Sequence, residues 1–424
     1  MKKILWLLLI MLLLFIGLVY WSVSVVKKGE NKVVIFGLEE SENIDFKKKD
    51  SVLIAASGFY KGNFVKNAMQ GKNYRAAWST PVMVPVVFLD TLFGGMEIVD
   101  EGGGSQTHSL KLRSPEGIMY SLRSINKFPE SHVPGILKTL GLENIVTDGI
   151  SAMHPYGAVA AAALAEAAGI LHTNPIPMFI PKQEILGDYN EKFGNRLFLL
   201  EKETEGDVNW TPFKNVLSIM ETDDLQELKK QLGDTLSIDK EAFVMARLFD
   251  LLIGDWDRHS EQWGWVVKKE DDKLIAHPLP GDRDNVFFKL KGFIPNIISN
   301  KNIEPLVRPF ENNIDYLPGL VYPVDRYFLF NTPEAVFRKV AKDLQQKLTD
   351  EKIEKALKVW PDKLYELNAE EIATKIKNRR DRLEQYAVAF RKIIQEKGLL
   401  EKPLKGSEDL QLSPGLMKCF ECKD

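Results

Sequence analysis

Cysteine is almost missing from this chain: of 424 residues only Cys419 and Cys422 carry a thiol, both within the last six positions. A fold stapled by disulfides is therefore excluded, and a zinc site on that pair would need two further ligands that the tail does not offer. Net charge is scarce as well, at −3, and no stripe of Lys and Arg offsets it, so the chain has no electrostatic footprint for nucleic acid. Beyond the N-terminus there is no second apolar run long enough to span a membrane, and no lipobox cysteine comes after the first. The remainder, 45% hydrophobic and 27% charged, is ordinary globular material with ample core. The length allows two to three average domains, or one large domain with additions.

The one long apolar run covers residues 4–26, uncharged throughout, bracketed by Lys2-Lys3 and Lys27-Lys28. At about 1.5 Å per residue it can cross a hydrocarbon core of about 30 Å. Tyr20 and Trp21 stand where an interfacial aromatic belt falls. The only small-x-small cleavage site is Ser22-Val23-Ser24, a poor one, so an uncleaved signal-anchor is expected rather than a removed leader. Lysines flank both ends and bias orientation little. Leaders of this kind export the chain behind them, which places the body on the periplasmic or cell-surface side.

The stretch around which the body is organised is LLIGDWDRHSEQ, residues 251–262, together with GDRDN, residues 281–285. Asp255 and Asp257 repel one another when ionised and add nothing to packing, so a cation or positive partner is the economical reason for their crowding. Between the two acidic stretches lie WGWVV, the polar turn KKEDDK and LIAHPL, which read as a β-hairpin. A hairpin brings its ends together, so Asp257 and the Asp282/Asp284 pair are expected at the same end. Helix, acidic loop, hairpin, acidic loop is the order of a kinase-like catalytic loop and metal-binding loop.

Upstream, Gly102-Gly103-Gly104 precede SQTHSLKLRSPEGIMYSLRSINK, in which two strands flank the turn Ser114-Pro115-Glu116-Gly117. A glycine turn over phosphates followed by a strand bearing a cation has this shape. Arg123 and Lys127 end the third strand, where a kinase-like small lobe carries its phosphate-pairing lysine. An alanine-rich helix over 156–168 with Gly169 as its stop, then strands over 176–180 and 196–200, complete a small lobe. Residues 33–54 read as an irregular lead-in with the short strand-like pieces VVIFGL and VLIAA, and 74–93, with Pro81 and Pro85, as a partly extended segment docked on the following domain. Residues 222–232 and 239–253 are helical by pattern. A proline-rich irregular section comes after Asp284, and the chain is helical again from 332 to 396, with 375–394 as one amphipathic helix packed on the body.

The order GGGSQT, YSLRSINK, HPYGA, LIGDWDRHSEQWGW and PGDRDNVF resembles an uncharacterised kinase-like domain of bacterial envelope proteins, which can accompany calcineurin-like phosphoesterase or outer-membrane barrel domains. More distantly, DRH followed by a hairpin and an aspartate resembles CotH spore-coat kinases, the Golgi casein kinase group, HipA-type kinases and phosphoinositide kinases. The first resemblance covers roughly residues 74–395. It implies an α+β, bilobal protein-kinase-like fold, here with an N-terminal transmembrane helix and a C-terminal helical region. By position it gives Asp257 the role of catalytic aspartate, with Arg258 and His259 bracing its loop. It implies that Asp282 or Asp284 holds the metal, and that Gly102, Gly103, Gly104 and Gln106 cover the phosphates. Arg123 stands for the usual lysine, with Lys127 as competitor. Two departures stand out. Gln262 occupies the place of a metal-binding Asn, and alanines fill the small-lobe helix where a glutamate belongs, leaving Asp148, His154 or Glu166 as substitutes.

The expected organisation is an anchor or signal over 1–28, a lead-in over 29–95, a small lobe over 96–205, a large lobe with C-terminal helices over 206–398 and a flexible tail over 399–424. The expected function is a membrane-anchored phosphotransferase that uses ATP or another nucleoside triphosphate with Mg or Mn and acts on a protein, lipid or glycan hydroxyl. Its partners are the nucleotide, the membrane and envelope proteins. Two other readings stand beside it. One is a pseudokinase or envelope scaffold; the other is a metal-dependent hydrolase with Asp255, Asp257, His259, Asp282 and Asp284 as ligands.

Overall fold

The computed structural model describes residues 1–24, 33–36, 44–102, 107–127 and 139–410. The expectations for Gly103, Gly104, Gln106, Cys419 and Cys422 lie outside the described residues. The first helix, α1 (Lys2–Ser24), is apolar around its whole circumference and is long and apolar enough to cross a membrane. A small antiparallel sheet comes next, β1 (Val34–Ile35), β2 (Ser51–Ala55) and β3 (Val82–Pro85), in the order β1-β2-β3. Between β2 and β3 lie α2 (Phe64–Gln70), capped by Asn63 Oδ1 accepting from Lys66 N at 2.8 Å, and α3 (Arg75–Ser79). Residues 74–93 thus contain a short helix as well as extended chain. They dock on the next sheet through the Val86 to Phe179 bridge.

That sheet is antiparallel and five-stranded: β4 (Glu97–Gly102), β5 (Thr107–Arg113), β6 (Met119–Lys127), β7 (Ile176–Ile180) and β8 (Arg196–Lys202), in the order β4-β5-β6-β8-β7. Its alternation builds two cores at once. Strand β8 sends Leu197 and Leu199 toward the main core, and Phe198 and Leu200 into a second core on the outer face. The crossing from β6 to β7 runs through α4 (Asn144–Gly149) and the alanine-rich α5 (Gly157–Ala168), which ends at Gly169 with φ 72°.

The larger lobe begins with β9 (Val216–Glu221), α6 (Thr222–Leu232), β10 (Leu236–Ile238) and α7 (Lys240–Ile253). The expected hairpin is present and longer than its apolar runs, β11 (Trp263–Glu270) and β12 (Lys273–Pro280), within a sheet ordered β10-β12-β11-β9. Then come α8 (Phe293–Ile298), α9 (Pro323–Leu329), α10 (Glu334–Lys347), α11 (Asp350–Leu357), α12 (Asp362–Asp381) and α13 (Leu383–Lys397). The chain is therefore α+β, with a five-stranded antiparallel sheet, a second, four-stranded sheet and a helical C-terminal region.

Two expectations need correction. The helix expected over 375–394 is two helices that meet at Arg382, whose backbone is non-helical at φ −104° and ψ 9°, and its expected polar side is partly inward: Lys375 Nζ donates to Phe310 O at 2.8 Å, and Arg379 Nη1 to Leu251 O at 2.7 Å. The stretch expected to be a flexible tail is packed as far as Leu410. Leu404 and Leu410 are buried, Gly406 N donates to Ser260 Oγ at 2.9 Å, and Ser407 N donates to Glu261 Oε2 at 3.1 Å.

Candidate active site

The first acidic loop is positioned by the end of α7. Asp239 caps the start of this helix, its Oδ1 accepting from Ala242 N at 3.0 Å. Gly254 ends it at φ 68°, where any Cβ would meet the Phe310 ring at 2.6 Å, so the stop demands glycine on both counts. From there the loop is held by Arg258, whose side chain is wholly buried. Its Nη1 donates to Gly281 O at 2.7 Å and its Nη2 to Gln262 O at 2.9 Å, while its guanidinium lies 4.6 Å over the Trp263 ring. Gly281 N donates to Gln262 O at 3.1 Å, and Trp263 pairs with Pro280 at the base of the hairpin. One arginine thus ties both acidic loops to one end of the hairpin.

Behind the loop is a cluster of charges facing the interior. Asp250, fully buried, receives Arg247 Nη1 at 2.9 Å, Arg283 Nη2 at 3.0 Å and Arg258 Nε at 3.4 Å. Arg247 also grips Asp325 at 2.7 Å, and Arg258 Nη1 lies 3.4 Å from Asp255. Burial pushes the Asp255 carboxyl up to about 8, with Arg258 working against it and Asp250 adding to it.

On the other side of the loop, Asp257 lies within electrostatic reach of Asp282 and Lys127, beside the cleft that those two residues line. Asp257 Oδ2 accepts from Asn285 Nδ2 at 3.3 Å, while its Oδ1 accepts no hydrogen bond. Burial raises its carboxyl above the ordinary range, His259 opposing and Asp282 reinforcing the shift. His259 Nδ1 lies 3.2 Å from Glu261 Oε2, and its Nε2 lies 3.1 Å from Gln262 Nε2 and 3.8 Å from Asp257 Oδ1. The docked C-terminal stretch reaches Glu261 and so touches this chain of contacts from outside.

Across the cleft, Arg123 and Lys127 project from β6, four residues apart and hence on one side of the strand. Arg123 Nη1 lies 2.5 Å from Asp282 Oδ2, and Lys127 pairs with Asp284. Asp282 adopts φ 45°, a left-handed turn that aims its carboxylate back at β6. Burial works to raise Asp282, but Arg123, the hydrogen bond from Asp284 and Lys127 together hold it well below the usual range. Asp284 moves the other way, up to about 7, through burial and the Asp282 charge, against the pull of Lys127. Its Oδ1 accepts no hydrogen bond. The cleft also touches Trp78, His154, Leu199 and Glu201, and encloses about 460 Å³, part of it open to solvent.

Gly102 pairs with Ser109 and Ser109 with Arg123, so this end of the glycine turn lies two ladder steps, about 10 Å, from the cation strand. The substitutes named for the small-lobe glutamate take other places. Asp148 is buried between Lys66, at 2.8 Å, and Arg75. Glu166 is exposed. His154 is stacked on Trp360 at 4.4 Å and accepts from Tyr156 N at 3.1 Å. The acids that face Arg123 are instead Asp282 and the buried Glu201 and Glu203. The five residues considered as a hydrolase metal cage do not converge either: Asp255 faces Arg258 in the interior, and no three His, Cys, Asp or Glu side chains group around an ion among the described residues.

Asp250, Asn285, Glu201 and Glu203 escaped the sequence reading. Asn285 is the last letter of GDRDN, and Asp250 is the one acid inside the apolar run LFDLLI, so both had a signal. Glu201 and Glu203 come after an apolar strand with no motif to mark them.

No family model and no curated protein matches this chain. Among solved structures it is similar to the Helicobacter pylori proinflammatory kinase CtkA, at 13% identity over 70% of this chain and 96% of that one, with a TM-score of 0.38. It is also similar to a Shewanella oneidensis MR-1 toxin–antitoxin structure of HipA with HipB and operator DNA, at 13% identity over 64% of this chain and 60% of that one, with a TM-score of 0.27.

Proposed function

We propose that this chain is a membrane-anchored, kinase-like phosphotransferase that binds ATP or another nucleoside triphosphate with Mg or Mn and phosphorylates a protein, lipid or glycan hydroxyl. The observation that carries this reading is the meeting of two loops and one strand: Asp257 and the Asp282/Asp284 pair at one end of the hairpin, opposite Arg123 and Lys127. Phosphoryl transfer consists mainly of positioning and charge neutralisation, and these residues divide that work. Arg123 and Lys127 address the phosphates, Arg123 as a bidentate fork and Lys127 as a point charge. Asp257 orients the acceptor hydroxyl and receives its proton, with His259 and Arg258 fixing its loop. Gly102 and its glycine neighbours cover the donor.

The carboxylates suit a hard cation. Asp284 Oδ1 is an acceptor without a donor beside Asp282, and Mg is bound by one or two carboxylates plus substrate phosphates rather than by a closed protein cage. Bound there, the metal would neutralise charge on the transferred phosphoryl group. Helix α1 holds the body at a membrane, with the body on the exported side and envelope proteins within its reach.

A second reading, a pseudokinase or scaffold, is favoured by one detail: the Gln262 amide, at the place of a metal-binding Asn, lies against His259. Thermal unfolding of the purified full-length protein separates these readings from a purely structural one. ATP with Mg or Mn should raise the melting temperature where neither alone does, by the equivalent of about 2.7 kcal/mol at a hundredfold excess over Kd. No shift with any nucleoside triphosphate and divalent metal would sink the nucleotide-binding proposal.

A further inference from the structure

The end of α1 is not a free tether. Ser22 and Val23 are buried, Tyr20 Oη donates to Leu140 O at 2.8 Å, Gln70 Nε2 donates to Ser22 Oγ at 3.1 Å, and the Phe15 and Phe293 rings meet at 5.5 Å. The helix therefore touches the body at Phe15 and Tyr20 and is buried only at Ser22 and Val23, with Ile16, Leu18 and Trp21 still exposed. The part that stands clear, residues 4–14, rises only about 16 Å at 1.5 Å per residue, about half of a hydrocarbon core of about 30 Å. A spanning helix must carry its contacted part into the apolar layer too, and whatever touches that part goes to the same depth.

Besides Leu140 and Asn144, α2 and α8 touch it, and both turn apolar side chains outward. Phe64 is 86% exposed, Phe293 53% and Ile297 50%, the last two one helical turn apart on a single face. The two helices are locked together: a Cβ on Gly292, at the start of α8, would lie 2.4 Å from Gly71 N at the end of α2. Lys61 and Lys301 are exposed beside these residues, where headgroup phosphates would lie.

We propose that the α2/α8 face is a membrane-docking surface, seated in the headgroup and upper acyl region of a phospholipid bilayer beside the anchor. An interfacial element of this kind buries its apolar face about 5–10 Å deep, so part of the contacted turns of α1 lies in the apolar layer with it. The proposal rests on α1 being a membrane anchor. It narrows the acceptor of the proposed reaction, since Asp284 and Phe293 are nine residues apart, at most about 30 Å of chain. A cleft held that close to the bilayer suits a lipid or a membrane-borne hydroxyl.

The test uses the full-length chain with Cys419→Ser and Cys422→Ser, reconstituted in phosphatidylcholine vesicles. Single cysteines replace Leu9, Phe64, Ile297 or Leu217, each carrying a polarity-sensitive fluorophore, and nitroxide-labelled acyl chains serve as quenchers. The labels at 9, 64 and 297 should shift to the blue and be quenched, the label at 9 most strongly, while Leu217, exposed on β9, reports water. Quenching at 9 with water-like signals at 64 and 297 overturns the docking surface and leaves the anchor standing. Water-like signals at all positions overturn the anchor and the docking surface together.

Discussion

Asp255 and Asp257 stand two residues apart on one loop, and the fold gives them opposite surroundings. Asp255 points inward to a cluster where Arg247, Arg258 and Arg283 are distributed over Asp250, Asp255 and Asp325. Asp257 lies within reach of Asp282 and Lys127, has one donor in Asn285 and keeps an oxygen with none. Sequence spacing makes the two look like a pair. The contrast shows that a carboxylate buried beside the guanidiniums of the interior serves as a brace, whereas one near the cations of β6 is placed for chemistry; an unmet oxygen does not tell them apart, since Asp255 Oδ1 also accepts no hydrogen bond. Each needs the other, because the brace holds the loop that aims Asp257.

The largest effect should come from breaking the brace. Asp250→Ala leaves three buried guanidiniums without their shared partner, and losing one side of a buried ionic network costs about 3–5 kcal/mol. Chemical denaturation should show that loss with the tertiary signal of the whole large lobe. A change below about 1 kcal/mol, within the range of an exposed ion pair, would erase the distinction between the two clusters.

Asp257→Ala should leave the fold and nucleotide binding close to intact while reducing turnover by about 10²–10⁴, the range of a positioned acid or base. Asp282→Ala or Asp284→Ala, whichever is the ligand, should instead weaken metal-dependent nucleotide binding, with Arg123→Ala weaker in the same direction and Lys127→Ala as its comparison. Binding measured by calorimetry beside single-turnover transfer distinguishes the two classes. If all these variants lose binding through unfolding alone, the front cluster is structural as well.

The smallest effect concerns His154, which touches the cleft but belongs to the interior. Burial, helped by Lys289, lowers its pKa to about 3. The native state therefore binds fewer protons than the unfolded chain between about 3 and the ordinary value near 6.5. Its contribution is present in full above that ordinary value and is lost as pH falls through the window. The melting temperature should fall between pH 7 and pH 4.5, and His154→Phe should flatten that slope; equal slopes in both proteins would show that other groups carry it.

The strand over 196–200, the helices over 222–232 and 239–253, and the hairpin after the acidic loop were all legible in the sequence, because each is fixed by local composition or periodicity and by strong stop signals such as Gly169 and Gly254. The convergence of the two acidic loops was legible too, since a hairpin must bring its ends together. Less visible were features made by distant contacts. Lys375 and Arg379 read as the polar side of a helix, yet backbone carbonyls of the interior receive them. The stretch 404–410 read as a polar tail, yet Ser260 and Glu261 offer it partners.

By itself the sequence determined the elements, their order and the fact that Asp257, Asp282 and Asp284 share one end of a hairpin, all consequences of short-range periodicity. Only the tertiary structure decided which charges brace and which face the cleft. A side chain's burial and its partners come from elements far apart in the chain, as when β6 supplies the cations for Asp282 and Asp284, or α9 supplies Asp325 for Arg247. No local pattern encodes that choice, because desolvation and pairing arise only once those elements are packed together.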